Sequence, residues 1–184
     1  MTKRIACTAA LCLWIAAVPG FTVGKVVGLE TGYAYLVSAQ GLQPQNGSGV
    51  LVSLYYGYLV GDKPRSSTLL SLALGYGVFP EADSLTALHS LIYGLEYAHT
   101  FFRDKPVSLM IDYGLLFNLL LEEGRKGYAF GHHSRLGLGP VFRLSARDSL
   151  ALQGTYNFVA FPHFEQASDR FTYPAAVLRY QHRF

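Results

Sequence analysis

The sequence predicts an all-β protein, an eight-stranded antiparallel up-and-down transmembrane β-barrel. Three observations carry that reading. The first is long two-residue alternation in the runs 49–61 and 67–79. Val50, Val52, Leu54, Tyr56, Tyr58 and Val60 share one face of the first run, while Gly49, Ser53, Gly57 and Gly61 share the other with Leu51, Tyr55 and Leu59 among them. Successive side chains of a strand point to opposite faces of its sheet, so this period means strand. The second observation is the small, nearly uncharged second face. A soluble half-buried sheet would turn Lys, Glu, Thr and Arg to water there. Gly, Ala and Ser instead suit the interior of a narrow closed barrel, which leaves the large apolar face against lipid. The third is composition: charged residues are 15% of the 184-residue chain, against roughly 25% in an ordinary soluble domain. Yet beyond Gly20 no apolar run approaches the roughly 18 residues of a membrane helix.

The first twenty residues have the layout of a secretory signal. Thr2-Lys3-Arg4 precedes a 14-residue apolar core over 5–18, and Pro19-Gly20 follows. That core is short for a bilayer span. The expected division is therefore a signal peptide over 1–20 and one outer-membrane barrel domain over 21–184. Both cysteines, Cys7 and Cys12, fall in the signal, so the mature chain is expected to hold no disulfide and no thiolate metal site. Without Lys3 and Arg4 it has 13 basic and 12 acidic residues. They are not clustered as a nucleic-acid surface requires, so no nucleic-acid partner is expected. No phosphate loop, Rossmann glycine pattern or zinc motif appears, and no cofactor is expected. Gly75/Gly77 and Gly137/Gly139 fall inside strands.

The first strand covers about 27–37, with Val27, Leu29, Tyr33, Tyr35 and Val37 outward and Gly28, Glu30, Gly32 and Ala34 inward. A polar loop over 39–48 leads to the hairpin described above, closed by Asp62-Lys63-Pro64-Arg65. The fourth strand turns Leu91, Tyr93, Leu95, Tyr97 and Phe101 outward, and Arg103-Asp104-Lys105-Pro106 ends it. The fifth turns Val107, Leu109, Ile111, Tyr113, Leu115, Phe117 and Leu119 outward, with Asp112 and Asn118 inward. A charged loop over 122–131 follows. The sixth carries Leu136, Leu138, Pro140, Phe142 and Leu144 outside, and Pro140 marks an irregularity because it removes a ladder donor. Ala146-Arg147-Asp148 turns into the seventh strand, with Gln153, Thr155 and Asn157 inward; the eighth places Ala176, Leu178, Tyr180, His182 and Phe184 outside. Short and long connections alternate, as periplasmic turns and outer loops do in bacterial outer-membrane barrels. Closure follows because no unpaired sheet edge can face hydrocarbon. Outward Tyr58, Tyr76, Tyr97, Phe101, Tyr156 and Phe158 suit aromatic belts at the two interfaces.

The chain stops on Phe184, with Tyr180 on the same face. A terminal aromatic after alternating apolar residues resembles the assembly signal of bacterial outer-membrane proteins, although His182 stands where that signal has an apolar residue. With the secretory start and the eight strands, the mature chain resembles the small outer-membrane barrels of the OmpA, OmpX and OmpW type. The resemblance implies the cell outer membrane as location, outer-membrane lipid as surroundings, and insertion by the barrel-assembly machinery through Phe184. It implies no particular activity.

Inward parity collects Glu30, Glu96 and Asp112 with Arg135, Arg143, Arg179 and Arg183. Glu96 and Asp112 are each eight residues from Asp104, so a symmetric hairpin sets them opposite each other, with Arg143 on the next strand to neutralise them. Closure makes Arg179 a neighbour of Glu30. The expectation is a structural ion-pair network filling a lumen narrow enough to be plugged by side chains; the alternative is a gated ion path or a proton-sensitive pair.

One constellation has catalytic flavour. His132 and Ser134 share the lipid-facing side at the outer end of the sixth strand, where a His could activate a hydroxyl for acyl hydrolysis. Glu123, or Glu165 in the last loop, is the acid that could orient the His. The stretch resembles the lipid A deacylase motif of the PagL type, His-x-Ser-Asn-Ala-Gly. His132, Ser134 and Gly137 match, but Arg135 and Leu136 replace the Asn and Ala. The simpler reading is that His132 and His133 are interfacial residues at a loop–strand junction. The leading expectation is thus a barrel that is not an enzyme, either structural and surface-exposed or a narrow conduit for small apolar solutes along inward Leu51, Tyr55, Leu59, Leu69 and Ile92. A secreted lipocalin-like cup, with the two faces exchanged, is the alternative fold.

Overall fold

The computed structural model describes residues 24–39, 46–80, 87–122, 129–161 and 169–184. The expected signal peptide and the acids Glu123 and Glu165 lie outside the described residues. Eight strands follow in order: β1 Lys25–Ala39, β2 Asn46–Asp62, β3 Ser66–Phe79, β4 Leu88–Phe101, β5 Val107–Glu122, β6 Ala129–Arg143, β7 Asp148–Phe161 and β8 Asp169–Arg183. Each pairs antiparallel with the next and β8 returns to β1, closing the barrel. The three short turns fall where Asp62, Asp104 and Asp148 predict them. No sheet edge is left open, as hydrocarbon requires.

The stagger of the barrel can be followed through its register partners. Leu29 leads through Leu54, Leu74, Tyr93, Phe117, His132, Ala160 and Arg170 to Ala39, ten residues further along the strand it began on. With about 3.3 Å rise per residue and about 4.8 Å between strands, that stagger tilts the strands by about 40°. Strands of 14–17 residues are long enough to cross a bilayer at that tilt with a turn of overhang. Two irregularities interrupt the ladders. Val60 bulges between Leu59↔Leu69 and Gly61↔Thr68, and the β6–β7 pairing lapses between Leu138↔Gly154 and Val141↔Ala151, beside Pro140.

Inside and outside follow the sequence alternation. Leu54 and Leu74 are each 57% exposed, Leu115 is 59% and Leu136 is 56%. Between the strand ends, no outward position carries Asp, Glu, Lys or Arg. A continuous apolar, uncharged outer wall cannot be solvated by water. The lipocalin alternative, which needs this face inside, is therefore excluded. Leu51, Tyr55, Leu59, Leu69 and Ile92 are buried within the barrel together with Met110, Leu116 and Val177. Aromatic rings group on the outer wall toward the long-loop end, where Phe117 lies 5.6 Å from Tyr93 and 5.5 Å from Phe130, centroid to centroid.

Candidate functional site

Charge concentrates in the middle of the lumen. Arg135, on β6, forks onto Glu30 of β1 with Nη1–Oε1 2.6 Å and Nη2–Oε2 2.7 Å. Its Nη1 also donates to Glu96 Oε1 of β4 at 3.2 Å, and its Nε lies 3.3 Å from Asp112 Oδ1 of β5. Arg179 of β8 donates from Nη2 to Glu96 Oε2 at 2.8 Å and sits 4.0 Å from both Glu30 and Asp112. All five side chains are buried. Gln153 donates to Asp112, and the Arg179 guanidinium stacks 4.0 Å over the Tyr55 ring. The Tyr55 hydroxyl in turn donates to the Tyr180 carbonyl at 2.9 Å. The parity that makes these strands half-apolar thus delivers five charges to one level. Glycines opposite them leave the room: a Cβ on Gly137 would collide with the Asp112 carboxylate.

The composition of this cluster departs from expectation in three ways. Glu96 does not face Asp112; its partner is Gly114, and Asp112 pairs with Ala98. The β4–β5 turn is one residue off the symmetric hairpin centred on Asp104, with Phe102 in the left-handed region at φ 58°. Arg143 does not neutralise the pair. It is exposed at the short-turn end, where it donates to the Arg103 carbonyl. Arg183 is also outside the cluster, bound to Asp62 at 2.6 Å. Both sit at the last residue of their strands, beyond the level of the acids. Arg135 takes the place expected of Arg143, and Arg179 makes its short contact with Glu96 rather than Glu30.

Above the cluster, toward the long loops, His133 is buried with Nε2 2.9 Å from Asn157 Oδ1 and 3.2 Å from the Tyr173 hydroxyl. Ser90 donates to Asn118 at 3.0 Å. The expectation of an interfacial His133 is thus corrected: it shares the inward parity of Arg135 and is buried in the lumen, while Tyr173 carries no signal in the sequence beyond its own inward parity. A small cavity of about 10 Å³ remains between the two layers, lined by Glu30, Glu96, His133, Arg135 and Tyr173 among others.

The short-turn end is a polar mouth. Asp62 binds both Arg103 and Arg183; partial burial pushes its carboxyl up, but the two guanidiniums outweigh this and hold it below the usual carboxylate range. Asp148 accepts from the Ser145 hydroxyl at 2.5 Å and the Tyr180 hydroxyl at 2.6 Å, and lies 2.8 Å from His182 Nδ1. Those hydrogen bonds, Ser145 foremost, hold it well below the usual range.

On the outer wall His132 is exposed and Ser134 half-buried, both facing outward as expected. Their register partners are Phe117 and Leu115 on β5 and Ala160 and Phe158 on β7. None is a carboxylate, and the His132 ring packs 5.7 Å from that of Phe117. No hydrogen bond joins His132 to Ser134 among the described contacts.

No protein-family profile matches the chain, nor does any curated protein sequence. Solved structures do. Neisserial surface protein A superposes with a TM-score of 0.67 at 16% identity, over 87% of this chain and 97% of that one. The outer membrane enzyme PagL superposes at 0.58 and 14% identity, over 83% of this chain and 98% of that one. At such identities the likeness is one of fold.

Proposed function

We infer that this chain, an eight-stranded outer-membrane barrel with the fold of the small OmpA and OmpX type proteins, serves as a closed, surface-presenting barrel and not as a conduit. One observation carries the reading: the Glu30–Arg135–Glu96–Arg179–Asp112 cluster crosses the lumen from five strands. An open pore would need water-filled space at that level. Here guanidiniums and carboxylates meet at hydrogen-bond distance, and the apolar track considered for small solutes is filled by its own side chains. The strand ends that the long connections join all lie opposite Lys25 and Arg183, the end that meets the cell exterior in such barrels. Likeness to a protein named for the neisserial surface supports the same placement. The test is conductance of the refolded barrel in planar bilayers. Silence at the level of bare lipid is expected, and stable conductance steps would overturn the reading.

A second reading is acyl hydrolysis at the outer wall. It is favoured by the shared lipid-facing placement of His132 and Ser134 in a fold that also supports the enzyme PagL. It requires release of fatty acid from a glycolipid by the wild type and loss of that release in Ser134→Ala.

A further inference from the structure

The mouth at the short-turn end holds more positive charge than its acids neutralise. A cavity of about 100 Å³ opens there along the barrel axis, walled by Arg103, Arg143, Arg147 and Arg183 with Ser149 and Gln181. Arg103 and Arg183 share a single carboxylate, Asp62. Asp148 is the acid that lines the cavity, and its oxygens are engaged by Ser145, Tyr180 and His182; Asp104, on the β4–β5 turn outside the cavity, lies 3.9 Å from Arg65. Arg143 and Arg147 have no carboxylate partner among the described residues, and Arg143 reaches only a backbone carbonyl. Inward parity assigns Arg143 to the ion-pair network; the strand delivers it to the mouth instead.

The neutral groups on the wall point the same way. Gln181 receives the Ser149 hydroxyl on its Oε1 at 3.4 Å, while its buried Nε2, near the Tyr55 hydroxyl, makes no hydrogen bond of normal geometry. The cavity therefore offers guanidinium and amide donors, and the carboxylate on its wall is already engaged. A cation would find no free ligand. A compact oxyanion would find a forked set of donors, the geometry to which guanidinium is matched. The cavity is inside the strand wall and opens away from the long loops. A ligand would enter from the aqueous side of the short turns, which in an outer-membrane barrel is the periplasm.

We propose that this mouth is an anion-binding site for a phosphate or carboxylate group, held by Arg143 and Arg147 with Gln181 as neutral donor. The site stands apart from the lumen cluster and does not depend on whether the barrel conducts.

The test uses the refolded barrel in nonionic detergent, titrated with inorganic phosphate, then acetate, then chloride, by isothermal calorimetry or amide shifts. Saturable phosphate binding is expected, weakening as sodium chloride is raised because both key cations are exposed. Arg143→Gln combined with Arg147→Gln should weaken it at least tenfold. Arg65→Gln, at the rim outside the cavity, should leave it unchanged. Heat-dependent gel migration confirms that each variant is folded, and Gln181→Leu gives an independent, less charged probe of the same wall. Repeating the titration in anionic-lipid nanodiscs separates two sources of the anion. Binding that persists there assigns the site to a soluble ligand, while competition by the lipid assigns it to a headgroup. Phosphate binding no stronger than chloride, or equal binding by wild type and the double variant, would overturn the proposal.

Discussion

Arg135→Met removes the hub of the lumen cluster while keeping a side chain of similar reach. In the wild type, three carboxylates share two guanidiniums, a formal charge of −1. The substitution leaves Arg179 alone with all three acids, at −2. Glu30 loses both of its short contacts, 2.6 and 2.7 Å, and keeps only Arg179 at 4.0 Å. Breaking a buried ion pair by removing one partner costs about 3–5 kcal/mol, because the remaining charge stays desolvated. We expect a loss of that size. Adding Glu30→Gln restores −1 and removes the most exposed consequence, so the double variant should recover at least half of the loss. The measurement is urea unfolding in detergent micelles, read from the folded and unfolded gel bands, with unfolding and refolding branches required to coincide. A loss under about 1 kcal/mol is what a solvated, screened pair would give. That result, or a double variant no better than the single one, would refute the buried-cluster argument.

Three further outcomes are expected. Asp148 is held below its ordinary range in the folded barrel, so its contribution to stability is present above the unfolded carboxylate value of about 4 and is lost as pH falls through the folded one. The melting difference between wild type and Asp148→Asn should therefore shrink as pH drops from about 5 toward 2; a difference that grows would contradict it. Gly139→Ala puts a Cβ 2.7 Å from the Gln153 Cα and against the Leu152 carbonyl, forcing β6 from β7. It should cost about 1–3 kcal/mol, whereas Gly154→Ala, with nothing within 4 Å, should be neutral in the same urea titration. Deleting Phe184, which is 67% exposed and reaches Lys25 through its backbone N–H, should reduce assembly in cells while leaving refolding into detergent intact. Equal loss in both settings would make Phe184 a stability residue instead of an assembly signal.

Much of the barrel was legible because alternation is a local property. Each strand states its own inside and outside, and the short turns with Asp62, Asp104 and Asp148 fix where it reverses. The partners across the lumen were less legible. A symmetric turn would set Glu96 opposite Asp112, yet Phe102 at positive φ accompanies a β4–β5 turn centred one residue off Asp104. Arg143 and Arg135 have the same parity on β6, so alternation alone could not say which one lies level with the acids. Height depends on the ten-residue stagger, which is a property of closure and not of any one strand. His133 reads as interfacial from its place at a loop–strand junction, yet it is buried in the lumen. Its neighbours His132 and Ser134 drew attention by motif, while its own partners, Asn157 and Tyr173, lie on strands that only the closed barrel brings near.

The distribution of charge among the strands also bears on how the barrel is made. The acids stand on β1, β4 and β5, the cations on β6 and β8, and Glu30 meets Arg135 across 105 residues of chain. A sheet growing in sequence order carries three carboxylates before either guanidinium arrives. Those groups need water while unpaired, so the concave side of the unfinished sheet stays hydrated. Arg179 is the register partner of Glu30 across the β8–β1 seam. In that order the final hydrogen-bonded edge and the last compensating charge would arrive in one event, and the interior would dry only as the sheet joins itself. Such late, long-range pairing would slow assembly, but it would also deny a half-built sheet any dry, stable resting state.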